Sequence, residues 1–220
     1  QIVFTGSVET GIIIASAAAK NVVPCVLELG GKSAAIVHND ANLDAFESDV
    51  RWGIFFNAGQ VCSAMSRVIA HESIHDELVG RIEKIAKSLD IGPGIDRPEF
   101  GENMGAMVSE AQRDRAAQMV TDAVAQGANV VTGGRKLNIP GAFLEPTILT
   151  NVTPDMTIAN EEVFGPVLSV LKFKSDAQSI EIANGTPYGL VAGVFTRDIN
   201  RATNAARSLR AGQVFVNEWY

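Results

Sequence analysis

Aromatic residues are scarce in this 220-residue chain, at 6%, while Ala, Val, Ile and Gly are plentiful. Small and branched aliphatics of this kind suit parallel strands alternating with helices, and a hydrophobic content of 46% excludes a disordered chain. Cysteine is nearly missing as well. Two residues, Cys25 and Cys62, cannot frame a disulfide-stapled fold, and free thiols fit a reducing compartment, read here as the cytoplasm. No basic block occurs and the formal charge is −7, which argues against nucleic acid or an anionic membrane as partner. The longest apolar stretch, residues 11–19 with Ser16 inside it, is too short to span a bilayer. Gln1-Ile2-Val3-Phe4 already reads as a strand, so no secretory signal opens the chain. The missing initiator Met points to a piece of a longer polypeptide. Two Asn-x-Thr triplets, at Asn151 and Asn184, match the glycosylation pattern, but triplets arise by chance and Pro154 disfavours the first.

The residues that are present alternate between two periods. Apolar runs at 2–4, 23–29, 34–37, 67–70, 130–131, 144–149, 167–173, 191–195 and 214–216 read as strands. Helical patterns occupy 8–20, 44–57, 75–89, 107–126, 177–184 and 200–209. The clearest is 75–89, where Leu78, Val79, Ile82, Ile85, Ala86 and Leu89 share one face. Ser73 has the position of its N-cap, and Gly127 that of a C-cap for the helix before it. The pattern predicts an α/β fold with a mainly parallel, twisted sheet flanked by helices.

Four segments could carry chemistry. Gly6-Ser7 stands between a strand and a helix, where backbone N–H groups can bind a phosphate; alone it reads as an ordinary turn. Glu28-Leu29-Gly30-Gly31-Lys32 ends an apolar strand, so Glu28 sits where open α/β folds bind ligands, and partial burial would raise its pKa toward that of a useful base. The alternative is a solvated turn residue. Asn57-Ala58-Gly59-Gln60-Val61-Cys62-Ser63 presents a cysteine on a glycine-containing loop, a nucleophile if its setting favours the thiolate and an inert core thiol otherwise. Cys25, inside an apolar run, fits the inert reading. In Glu161-Glu162-Val163-Phe164-Gly165-Pro166, carboxylates could hold a ribose and an aromatic ring could pack on a flat cofactor; the plainer reading is a charged loop. His71-Glu72-Ser73-Ile74-His75 spells a zinc-protease motif, but that chemistry needs both histidines on one helix face. Here a strand runs into His71 and a helix begins near His75, so no metal site is assigned.

Taken together, the segments resemble the aldehyde dehydrogenase superfamily. Phe4-Thr5-Gly6-Ser7, Glu28-Leu29-Gly30-Gly31-Lys32, Gly59-Gln60-Val61-Cys62 and Glu161-Glu162-Val163-Phe164-Gly165-Pro166 match its signatures in order, and Cys62 follows Glu28 by 34 residues, the family's spacing. The likeness runs to the closing Gly212-Gln213-Val214-Phe215-Val216-Asn217. It implies oxidation of an aldehyde to a carboxylic acid with NAD or NADP. Cys62 would attack the carbonyl to give a thiohemiacetal and then a thioester, and Glu28 would activate the water that releases the acid. Gly6 and Ser7 would lie at the cofactor pyrophosphate, Leu29 near the nicotinamide, Glu162 and Gln112 at a ribose, and Phe164 beside the ring. Phe55, Phe56, Val61 and Ser63 would line the substrate funnel. Residues 1–31 would be the tail of a Rossmann-like cofactor domain and residues 32–220 the catalytic domain, in a parent that forms a homo-oligomer. Most of the cofactor domain would lie outside the chain, so the 220 residues alone would not turn over. A self-associating module, with at most cysteine esterase activity, is the competing expectation.

Overall fold

The computed structural model describes residues 1–96 and 101–220. The chain opens with β1 (Ile2–Thr5), α1 (Val8–Ala19) and β2 (Cys25–Glu28), in which β1 and β2 pair in parallel as a two-stranded sheet. Ser7 starts α1 by capping it, its Oγ accepting from the Thr10 N–H at 3.3 Å. Gly11 lets α1 close onto Leu29, because a Cβ there would come within 2.6 Å of the leucine side chain.

A larger sheet follows. Its elements are β3 (Ala34–Val37), α2 (Leu43–Val50), β4 (Arg67–His71), α3 (His75–Ser88), the short pair β5 (Asp90–Ile91) and β6 (Asn103–Met104), α4 (Glu110–Ala125), β7 (Asn129–Thr132), β8 (Thr147–Thr150), α5 (Thr157–Asn160), β9 (Val167–Phe173), α6 (Asp176–Asn184), β10 (Val191–Phe195), α7 (Ile199–Ser208) and β11 (Gln213–Val216). Seven strands join in the order β11-β10-β3-β4-β9-β8-β7, parallel throughout except for the β7–β8 pair at one edge. Every residue of β3 and β10 is buried, as is all of β9 except Lys172. Strands covered on both faces read as continuous apolar runs, which is why these three were plain in the sequence. The predicted α/β architecture is therefore present, and α3 buries the face carrying Leu78, Ile82, Ile85 and Ala86.

The departures have local causes. The helix expected over 44–57 ends at Val50 and passes into a π-helical turn, Arg51–Phe55, and a 3-10 turn, Phe56–Gly59. Asn57, Ala58 and Gly59 all take positive φ, of 51°, 53° and 70°, and the reversed chain brings Met65 N–H back to the Gly53 carbonyl at 2.7 Å. The helix expected over 107–126 begins only after Ser109, whose Oγ accepts from Gln112 N–H at 3.2 Å. Pro146, lacking an N–H, delays the strand expected from residue 144 until Thr147. Ser73 is not the cap of α3: its hydroxyl bonds His71 Nδ1 at 2.8 Å, and Ile74 holds the cap position with no side-chain bond. His71 ends β4 while His75 opens α3, so the two do not share a helix face. Gly127, with φ 109°, does follow the last turn of α4.

Candidate active site

The four signature segments converge on one cleft of about 1010 Å³. Its walls include Gly6 and Ser7 from the start of α1, Glu28 from the end of β2, Cys62 from the loop after the 3-10 turn, Gln112 from α4, and Glu162 and Phe164 from the loop before β9. Of the eight predicted site residues only Leu29 is missing from the lining; its side chain faces Gly11 of α1. Val61 lines the cleft as expected of the funnel, but Phe55 and Phe56 line a separate pocket of about 130 Å³ with Trp52 and Met104. Ser63 instead hydrogen-bonds the Tyr220 hydroxyl at 3.3 Å.

Backbone contact, made possible by glycine, fixes how the segments meet. The Gly31 N–H donates to Glu162 Oε1 at 3.1 Å. A Cβ on Gly30 would strike the Glu162 carboxylate, and one on Gly31 would sit 2.5 Å from the Cys62 carbonyl oxygen. Gly59 has positive φ and lies so close to the Gly165 carbonyl that no side chain fits. The loop of Cys62 thus packs directly against both the turn after Glu28 and the loop of Glu162. Further bonds hold its shape: Asn57 Nδ2 donates to the Gln60 carbonyl and Gln60 Nε2 to the Asn57 carbonyl, each at 3.0 Å, while Gln60 Oε1 accepts from Val108 N–H at 2.8 Å. Gln112 spends its amide on the opposite loop, donating to the carbonyls of Val163 at 2.9 Å and Phe164 at 3.0 Å.

Charge is unevenly distributed across the cleft. Four carboxylates line it, from Glu9, Glu28, Glu161 and Glu162, against one cation, Arg115. Burial pushes the Glu162 carboxyl above the usual carboxylate range, opposed by the Gly31 N–H, Lys32 and Arg115. Glu28 is exposed rather than partly buried as its place at the strand end suggested. Tyr188, whose phenol bonds the Glu162 backbone, has its pKa raised by burial. Cys62 is half-buried and free, as is Cys25, which lies on β2 away from the cleft. Among the described residues no cluster of His, Cys, Asp and Glu could hold a metal ion.

Val8, Glu9, Arg115 and Tyr188 are wall residues that the sequence did not single out. Arg115 follows Gln112 by one helical turn, so the 3.6-residue period was enough to place both on one face of α4. Tyr188 left no comparable signal, because it stands in a loop between α6 and β10 whose path depends on the tertiary fold.

The profile of the aldehyde dehydrogenase family matches residues 1–220. A mitochondrial aldehyde dehydrogenase of Leishmania tarentolae is 44% identical over 220 residues, covering all of this chain and 44% of the relative. An aldehyde dehydrogenase of Emericella nidulans is 42% identical, again over all of this chain and 44% of its own length. Among solved structures, aldehyde dehydrogenase from Bacillus cereus superposes with a TM-score of 0.94 at 39% identity, covering 100% of this chain and 44% of that one. Betaine aldehyde dehydrogenase from Staphylococcus aureus in complex with NAD+ gives 0.93 at 37% identity, over 99% of this chain and 43% of the other. The chain spans less than half the length of these relatives, yet it matches them from its first residues to its last, and it belongs to the aldehyde dehydrogenase family.

Proposed function

We propose that this chain carries the nucleophile and hydrolytic base of an enzyme that oxidises an aldehyde to a carboxylic acid. The observation that carries the reading is the convergence of Cys62, Glu28 and Glu162 on one cleft through glycine-mediated backbone contact. Cys62, as thiolate, adds to the aldehyde carbon, and its backbone N–H would help hold the oxygen that takes up the negative charge. Bound NAD+ or NADP+ supplies the hydride acceptor. Glu28 removes a proton from water, the water oxygen attacks the thioester carbon, and the Cys62 sulfur leaves with the acid released.

The cleft fits a nicotinamide dinucleotide on two counts. Glu162 is anchored through one carboxylate oxygen by Gly31, which leaves the other for ribose hydroxyls. The capped N-terminus of α1, at Gly6 and Ser7, opens on the same cleft and suits the diphosphate. Phe164, partly exposed at 37%, is available to pack against a ring, and Gln112 braces the loop that presents it.

Residues 1–31 are assigned to the cofactor domain, since β1 and β2 form their own sheet with α1 between them in the chain, and residues 32–220 to the catalytic domain. Residues outside this chain complete the dinucleotide pocket in this reading, and the parent is a homo-oligomer of the cytoplasm. With the full-length polypeptide, an aldehyde and NAD+, absorbance at 340 nm should grow, and Cys62→Ser should reduce the rate by at least about 10³-fold. Unchanged turnover in Cys62→Ser would remove the reading. The 220 residues alone should give no such signal.

A second reading, self-association of the chain, rests on the outer face of its first unit, where Val3 is 70% exposed, Ile12 60% and Ile13 68%. Light scattering on the 220-residue chain at high concentration decides it, a clean monomer counting against it.

A further inference from the structure

A second polar cavity lies behind the cleft, and its chemistry differs from the first. It has a volume of about 20 Å³, room for one water or one small ion. Lys32, Ser33, Arg67, Thr186, Tyr188 and Arg210 are among its walls, and no carboxylate is. Lys32 is 2% exposed and Ser33 3%, yet neither the Lys32 Nζ nor the Ser33 Oγ has a hydrogen-bond partner. Buried donors left unmatched are costly and call for an occupant.

The two arginines cannot be that partner, because a guanidinium has no acceptor, and they donate to backbone carbonyls instead. Arg67 gives Nε to the Lys32 carbonyl at 2.9 Å and its two terminal nitrogens to the carbonyls of Ile182 and Ala183 at the C-terminal end of α6, at 2.9 and 2.8 Å. Arg210 donates to the carbonyls of Asn184 and Thr186. Those bonds also neutralise the helix-end carbonyls that would otherwise repel an anion. They leave the charge itself unopposed: among the described residues, neither Lys32, Arg67 nor Arg210 has a carboxylate within 4.0 Å. Glu161 and Glu162 act on Lys32 only from a distance. A water molecule would satisfy the donors without balancing the charge.

We propose that this cavity is a binding site for one small monovalent anion of the chloride type, held by the Lys32 ammonium and the Ser33 hydroxyl beside the Arg67 guanidinium. Nothing in the reaction proposed above requires it. Empty, the site leaves the Lys32 pKa at about 7, lowered by burial and by Arg67 and partly restored by Glu162 and Glu161. Tyr188 also lines this cavity, and its phenol, bonded to the Glu162 backbone, has its pKa raised by burial. An anion that binds the protonated lysine should therefore lose about tenfold in affinity per pH unit above 7.

The test uses the natural full-length polypeptide. Crystals soaked in bromide should show an anomalous peak in hydrogen-bond contact with Lys32 Nζ. Thermal unfolding in chloride against gluconate, at constant ionic strength, should show a chloride-dependent rise in midpoint at pH 6 that disappears by pH 9. Lys32→Met should abolish that rise at pH 6. A bromide-free cavity holding only water, or a chloride effect independent of pH, overturns the proposal. If Lys32→Met fails to fold, the bromide peak decides by itself.

Discussion

The first unit and the large sheet are both built from apolar sequence and packed very differently. Every residue of β3 and β10 is buried, whereas in β1–α1–β2 Val3 is 70%, Ile12 60% and Ile13 68% exposed. Composition does not explain the difference, because both regions are rich in Ala, Val and Ile. What separates them is cover: helices shield both faces of the large sheet, while the two-stranded sheet rests on one helix. The proposed nucleophile belongs to the well-packed part and the proposed base to the sparsely packed part, so the site joins a rigid half to a softer one.

The contrast can be broken by mutation, starting where the effect should be greatest. Ile69→Ala in β4, at 0% exposure, should lower unfolding free energy by about 2–5 kcal/mol in urea titrations; a loss under 1 kcal/mol would mean that the large sheet is no better packed than the first unit. Gly59→Ala forces a positive φ on alanine and a clash with the Gly165 backbone, and it should cost at least about 2 kcal/mol while slowing alkylation of Cys62 relative to Cys25, measured by mass spectrometry.

Lys32 tests the same body through pH. Its folded pKa lies below its unfolded one, so the stability it contributes is full above pH 10.5 and is lost as pH falls toward about 7. In halide-free buffer the wild type should gain up to about 1.4 kcal/mol per pH unit over Lys32→Met across that window. The smallest effects belong to the first unit. Ser7→Ala removes a cap and should cost about 1 kcal/mol, and Ile13→Ala should change stability by no more than about 0.5 kcal/mol. A large loss from Ile13→Ala would show that its face is covered in solution.

Much of this was legible in the sequence because burial on both faces writes itself as unbroken apolar runs. The strands at 34–37, 167–173 and 191–195 stood out for that reason, and Gly127 marked a helix end by its own chemistry, while the cap expected at Ser73 was not there. The site segments were legible as motifs, and seven of the eight named residues line the cleft. The breakdown of the helix after Val50 was not, since Asn57 and Ala58 carry no local preference strong enough to announce three successive positive φ values. Tertiary contact with Gly165 imposes that path. Nor could the cavity behind Lys32 be read, because it depends on the C-terminal end of α6 arriving beside β4.

The closeness of Gly30 and Gly31 to Glu162 and Cys62 has a consequence for how this site can change. Where Gly31 meets the Cys62 carbonyl through backbone atoms, no side chain can be shortened or lengthened to retune the gap. The spacing of the proposed base and nucleophile behaves as a fixed gauge, whereas Glu162 reaches the same turn through its carboxylate. Under the proposed function, adaptation to aldehydes of different size falls on Val61, whose side chain lines the cleft, whereas Gln60 is held by its bonds to Asn57 and Val108.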